Sequence, residues 1–195
     1  DRVLMPDLGT SGYGIPLNAW FRSPAAHNLL VVDGKRQARC GGYLIAFEEN
    51  RIEAGVKEAY EGVDIQRRVT LLENGIEDRV KAASPDTHRY DLFYHVRGKI
   101  QDCSVSLTKS DQPLEGEGYN YLRDVQRGKS EGTVKITWSL RDTPGTLTLE
   151  CRSDQPFEII TGTCPDNPAD LELGFVMLRV NSQSAEWNNR VQVEK

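Results

Sequence analysis

Apolar and polar residues alternate with a period of two along most of this 195-residue chain. That period sends successive side chains to opposite faces of an extended strand, so that one face packs inward. Val134, Ile136, Trp138 and Leu140 alternate with Lys135, Thr137 and Ser139. After Pro144-Gly145, Leu147, Leu149 and Cys151 alternate with Thr146, Thr148 and Glu150. Val63, Ile65, Val69 and Leu71 share one face of a run that stops at Glu73-Asn74-Gly75, a hairpin signal, and a partner strand is predicted from Ile76. Residues 43–47 and 90–96 read as further strands, and Leu29-Leu30-Val31-Val32 is a short apolar strand that stops at the Asp33-Gly34 turn. Many strands, frequent Gly, Pro and Asn turns and little helical periodicity predict an all-β fold, an antiparallel β-sandwich of two packed sheets.

Three segments depart from this pattern. Residues 51–60 read as a short helix, weakened by Gly55. Residues 111–132 are polar and Gly-rich and read as a long loop or a hairpin with a mobile tip. The opening Asp1-Arg2-Val3-Leu4-Met5 reads as a strand already under way, which is expected of a piece of a longer protein or of a mature product. No internal repeat or linker divides the chain, so residues 1–195 are expected to form a single domain.

Hydrophobic residues make up 38% and charged residues 27%, which predicts a folded globular chain with its own core. The net charge of −5 lacks the basic field of a nucleic-acid binder. No apolar run approaches the ~20 residues of a membrane-spanning helix. Of the local basic clusters, Arg67-Arg68 reads as a solvated strand face, whereas Lys35-Arg36-Gln37-Ala38-Arg39 follows a turn near the most distinctive segment and is a candidate ligand-facing group. Cys40, Cys103, Cys151 and Cys164 form no CxxC pair. Their even number allows two disulfides, but Cys151 lies on the apolar side of its strand, where a buried free thiol is expected.

The first 40 residues are unlike the rest. They contain Asp7-Leu8-Gly9-Thr10, then Tyr13-Gly14, then Trp20-Phe21-Arg22-Ser23 and Ala26-His27-Asn28. The apolar strand to Val31-Val32-Asp33-Gly34 and then Gln37 completes the block. The glycines near Asp7 form no GxxxxGK phosphate loop, and the chain has no GxSxG or HExxH motif. On the residues alone, Asp7 is a turn-capping aspartate before Gly9. His27 is a histidine bonding backbone at the start of a strand, and Tyr13 is a loop tyrosine on the sandwich edge. Arg22 ties the loop to Asp7 or Asp33. Trp20 and Phe21 anchor the loop or stack on sugar. His88 and His95 are core or solvent-facing imidazoles.

This block resembles the heparinase II/III-like polysaccharide lyases. The similarity continues more weakly through Tyr60-Glu61-Gly62-Val63, Arg67-Arg68-Val69 and Glu77-Asp78-Arg79-Val80. The resemblance implies a C-terminal β-sandwich that follows an α/α toroid domain, in a periplasmic or secreted enzyme. It implies β-elimination on an acidic, uronate-containing polysaccharide such as heparin, heparan sulfate or alginate. A base removes the C5 proton of the uronate and a second group protonates the leaving oxygen. Family members carry a metal, usually zinc, and the match makes Asp7 and His27 its ligands here, with a third ligand in an upstream His-x-His motif. Tyr13 matches a tyrosine near the catalytic cleft and becomes a candidate proton donor, and Arg22 a candidate partner of a uronate carboxylate. The toroid would supply the main base, so the isolated chain is expected to be inactive. The alternative is a non-catalytic carbohydrate-binding or structural β-sandwich.

Overall fold

A computed structural model describes residues 3–10 and 16–194. Its strands are β1 (Leu30–Val32), β2 (Tyr43–Phe47), β3 (Arg51–Tyr60), β4 (Val63–Leu72), β5 (Gly75–Val96), β6 (Gly98–Cys103), β7 (Thr108–Lys109), β8 (Arg123–Ser130), β9 (Thr133–Leu140), β10 (Thr146–Ser153), β11 (Phe157–Pro165) and β12 (Glu172–Glu194). All their pairings are antiparallel. One short helix, α1 (Asn18–Phe21), precedes them. The fold is the all-β sandwich that the alternation predicts.

Two long strands, β5 and β12, build both layers. They pair with each other from Gly174↔Val96 to Gln192↔Gly75, with a register shift between Ser182 and Ser184. On one side of that shift, the first half of β5 and the second half of β12 join β2, β3, β4, β10, β9 and β6 in layer one. On the other side, the second half of β5 and the first half of β12 join β1, β11, β8 and β7 in layer two. Pro85 sits in β5 near the shift, where neither β4 nor β1 pairs with it, and a proline is tolerated where ladder bonds are missing.

The main core lies between the layers. Val80, Trp187, Val191, Ile136, Trp138 and Leu149 of layer one face Leu92, Tyr94, Val96, Val176, Leu178 and Ile159 of layer two. A second cluster lies on the other face of layer two. There Phe93, Phe175, Met177 and Ile160 are covered by Leu8, Trp20, Phe21, Ala25, Ala26 and Tyr119. Layer two is thus buried on both faces, which explains why its strands read as continuous apolar runs.

Four expectations need correction. Residues 51–60 form strand β3 and not a helix: Ile52, Ala54 and Val56 alternate with Glu53, Gly55 and Lys57. Gly55 leaves room for the Tyr43 ring, which lies over it: a Cβ there would come 2.4 Å from Tyr43 Cζ. Residues 3–5 are irregular rather than a strand. Residues 111–122 are irregular with one 3-10 turn, Tyr119–Tyr121, but residues 123–130 form β8. Arg67 is not a solvated side chain. It stands on the inward face with Val63 and Ile65 and donates from Nε and Nη2 to the two oxygens of buried Asp78, at 2.8 and 2.6 Å. The cysteines are all free, and Cys151 is buried as expected.

Asp78 also accepts the Tyr94 hydroxyl at 2.6 Å, and Tyr94 in turn accepts Asn189 Nδ2 at 2.7 Å. Removing one partner of a buried ion pair leaves the other uncompensated, at about 3–5 kcal/mol. Asp78→Ala is therefore expected to lose about 3–5 kcal/mol in urea unfolding. A loss under about 1 kcal/mol would show that the network adds little.

Candidate functional site

The distinctive N-terminal block sits on the outer face of layer two. Trp20 and Phe21 are its anchors, with 0% and 1% exposure. The Trp20 indole donates from Nε1 to the Pro165 carbonyl at 2.9 Å. Its ring meets the His95 ring edge-on at 6.3 Å and the Tyr121 ring at 5.6 Å. Of the two roles open to these aromatics, anchoring is the one observed.

A buried carboxylate fixes the far end of the block. Asp166 is fully buried and takes Nε and Nη2 of Arg97 at 3.0 Å each, together with Arg141. These guanidinium groups hold its carboxyl below the usual range against the opposing effect of burial. The next residue, Asn167, donates from Nδ2 to the Leu8 carbonyl at 2.8 Å. The loop that carries Asp7 is thereby tied to the end of β11.

Asp7 and His27 are brought together. The Asp7 carboxylate accepts the Gly9 amide at 3.1 Å, which is the turn that the sequence predicts. Its other oxygen stands 3.3 Å from His27 Nδ1. The Gly9 hydrogen bond and then His27 hold the Asp7 carboxyl below its ordinary value, against partial burial. His27 faces a carboxylate and not backbone, as the residues alone would have had it. The two side chains are 76% and 26% exposed, so both remain reachable from solvent.

Asn28 and His95 stand behind this pair. Asn28 Oδ1 accepts the His95 amide at 2.7 Å, and its Nδ2 donates to the Pro6 carbonyl at 3.2 Å. The Asn28 carbonyl accepts Arg67 Nη1 at 2.6 Å. Asn28 thus links the His27 turn to β5, β4 and the segment before Asp7. His95 is fully buried, with its ring stacked on Phe93. Burial, reinforced by nearby His27, pushes its pKa down to about 3.

Arg22 lies on a separate part of the block. It is exposed and lines an open groove with Asn18, Arg36, Glu117, Asn120 and Tyr121. Among the described residues it has no ion-pair partner, so it ties neither Asp7 nor Asp33. Asp33 is instead taken by His88 Nδ1 at 2.9 Å and by the Arg89 amide at 3.0 Å. Arg36 donates from Nε to Glu117 at 2.8 Å. The loop that carries Glu117 is fixed by its amide, which donates to the Gly34 carbonyl at 2.8 Å. Gly34 has φ of +68°, and a Cβ there would meet Gly116 Cα at 2.8 Å, so the approach demands glycine. Tyr13 lies outside the described residues.

Carboxylate oxygen and imidazole nitrogen are donors that zinc accepts. Asp7 and His27 fit as two members of a ligand set. No group of three potential ligands occurs among the described residues, so a closed site needs a donor from elsewhere.

The model of the heparinase II/III-like C-terminal family matches residues 1–185. The chain belongs to that family. No curated protein matches its sequence. Among solved structures, a heparinase III gene product superposes with a TM-score of 0.70 at 13% identity, over 98% of this chain and 28% of its own. Heparan sulfate lyase HepC from Pedobacter heparinus gives 0.57 at 14% identity, over 100% of this chain and 29% of its own. A galactose mutarotase related enzyme from Lactobacillus acidophilus gives 0.53 at 8% identity, over 80% of this chain and 72% of its own. At these identities the likeness is one of fold. The chain spans little more than a quarter of the two heparinase structures.

Asn28, His95 and Asp166 were not singled out as site residues, whereas Arg36 belongs to the basic cluster read as a candidate ligand-facing group, and it borders the groove. Asn28 was legible as half of the His27-Asn28 pair. His95 and Asp166 come from β5 and the end of β11, and only the fold brings them to the block.

His95 binds a proton far less readily in the folded state, with a pKa of about 3 against 6.5. Its contribution to stability is present above the unfolded value and is lost as pH falls toward the folded one. Between pH 7 and pH 5 the chelator-treated protein is expected to lose roughly 2 kcal/mol more than His95→Gln, measured by urea unfolding at both values. Parallel pH dependence in the two proteins would contradict a neutral buried imidazole.

Proposed function

We propose that this chain is the C-terminal sandwich domain of a polysaccharide lyase that cleaves an acidic, uronate-containing polysaccharide by β-elimination. The observation that carries this is the N-terminal block anchored on layer two by Trp20 and Phe21. It presents an exposed Asp7–His27 pair and, at a groove, an arginine with no ion-pair partner among the described residues, in a chain of the heparinase II/III-like family. In this reaction a base takes the C5 proton of the uronate, the C4–O bond breaks, a C4=C5 double bond forms and the leaving oxygen takes a proton. The base is assigned to the preceding α/α toroid domain of the same protein. The isolated domain is therefore inactive, and the enzyme works outside the cytoplasm, in the periplasm or as a secreted protein.

Arg22 is the residue assigned to the uronate carboxylate. A guanidinium with no carboxylate partner among the described residues keeps its planar set of donors for a substrate. Neutralising the carboxylate makes the C5 proton more acidic and favours the enolate-like transition state. Arg36 borders the same groove with one side of its guanidinium held by Glu117. Tyr13 is the candidate donor to the leaving oxygen. Asp7 and His27 would hold a zinc ion, with the remaining donor supplied upstream. When bound, the ion would supply a fixed positive charge beside the cleft.

The full-length protein is expected to generate the ultraviolet absorbance of an unsaturated uronate from heparan sulfate, heparin or alginate, and residues 1–195 alone are not. No absorbance change with any uronate polymer would contradict a lyase. Arg22→Ala is expected to lower kcat/KM by about 10- to 100-fold, the worth of a hydrogen bond to a charged group, with the fold intact by circular dichroism. Asp7→Ala and His27→Ala are each expected to lower the zinc content of the purified full-length protein, read by elemental analysis. Unchanged zinc in both would place the metal elsewhere.

A further inference from the structure

Asp7 and His27 belong to two segments that lie 20 residues apart in the chain. The Asp7 side chain is mostly exposed, and the core around it does not fix its place. Two exposed groups on irregular backbone lose entropy when they stay in one arrangement. Their separation is defined only if the backbone beside each of them is held.

Asn28 holds both backbones. It follows His27 directly, and its Nδ2 donates at 3.2 Å to the carbonyl of Pro6, the residue directly before Asp7. Its Oδ1 accepts the His95 amide of β5 at 2.7 Å and stands 3.3 Å from His95 Nδ1. These partners settle which way the side-chain amide faces. A backbone N–H only donates and a proline carbonyl only accepts, so the oxygen faces His95 and the nitrogen faces Pro6. No other side chain of this size offers a donor and an acceptor in one plane. An aspartate would set a second acceptor against the Pro6 carbonyl. An apolar residue would leave the His95 amide without its partner.

The clasp is pinned in turn to the core between the layers. The Asn28 carbonyl accepts Arg67 Nη1 at 2.6 Å. The other two nitrogens of that guanidinium are taken by Asp78, which is fully buried. The position of Asn28 is thus set by β4 and β5 and not by the loop that it holds.

We propose that Asn28 is the positioning residue of the Asp7–His27 pair: its side-chain amide, backed by the Arg67–Asp78 ion pair, holds the two donors side by side. Ligands held in place beforehand need not be ordered on binding, which raises affinity. Groups behind the ligands of a metal are commonly worth about 10- to 100-fold in affinity. The proposal deepens the reading of Asp7 and His27 as zinc ligands and rests on it.

The test uses the full-length protein and needs no activity. Zinc affinity is read by competition with a chromophoric chelator, and the visible bands of the cobalt(II)-substituted protein read the arrangement of the donors. Asn28→Ala is expected to weaken zinc binding at least about tenfold and to shift the cobalt bands. Asn28→Asp keeps the shape and adds a negative charge, which alone would tighten binding of a cation. It is also expected to weaken zinc, because the Pro6 contact is lost. Leu149→Ala, in the core side of layer one, is expected to lower stability and leave zinc affinity and cobalt bands unchanged. Affinity and bands like those of the parent in both Asn28 variants would overturn the proposal. Asp7→Ala and His27→Ala in the same assay separate the two readings. Zinc weakened by these and not by the Asn28 variants removes the positioning role alone. Zinc indifferent to all four places the metal elsewhere and removes both.

Discussion

The pairing of β5 with β12 is the constraint on which the rest of the domain depends. These strands run through both layers and carry the core on one face along their full length. Every other strand joins one or other of their halves directly or through a neighbour. The register shift at Ser182/Ser184 lets the pair change layers without breaking, as a bulge bends a strand and raises its twist. Because the second halves of the layers are fixed this way, the outer face of layer two is a firm bed for the N-terminal block.

That bed is polar at defined places as well as apolar. Asp78, Asp91 and Asp166 are all fully buried, and each is held by arginine. Asp91 takes Arg179 at 2.6 Å and the Tyr119 hydroxyl at 2.7 Å, which seats the loop before β8. Asp166 holds Arg97 and Arg141 near the Leu8 contact. Buried charges of this kind add little net stability over apolar residues, but breaking one is costly. Their effect is to place irregular backbone, the loops at residues 3–10 and 111–122, against a sheet in one arrangement.

The fold was legible because period-two alternation is a local property. Strands β9 and β10 follow their patterns residue by residue. β3 escaped because Gly55 was read as a blemish in a helix, whereas its reason lies in the Tyr43 ring of a neighbouring strand. β5 read as two strands because Pro85 interrupts it, and the single strand exists only because β12 pairs with both parts. Arg67 was misjudged by its type, although it shares the face of Val63, Ile65 and Val69. Its partner Asp78 lies 11 residues on, across the hairpin. At the site, Asp7 and His27 were legible through a family pattern and stand together. Arg36 was legible within the basic cluster beside the block, but its salt bridge to Glu117 was not, and neither was His95, whose burial against Phe93 and Trp20 is a tertiary fact.

On the proposed reading the domain is half of a site: it would lend two donors to a metal and a cation to a carboxylate, with the base assigned to the preceding domain. A crystal structure of the full-length protein with a bound uronate oligosaccharide tests this most directly. Sugar lying against Arg22, Arg36 and Tyr121, with the remaining contacts from outside residues 1–195, is the predicted result. Sugar bound with all its contacts outside this domain would contradict it.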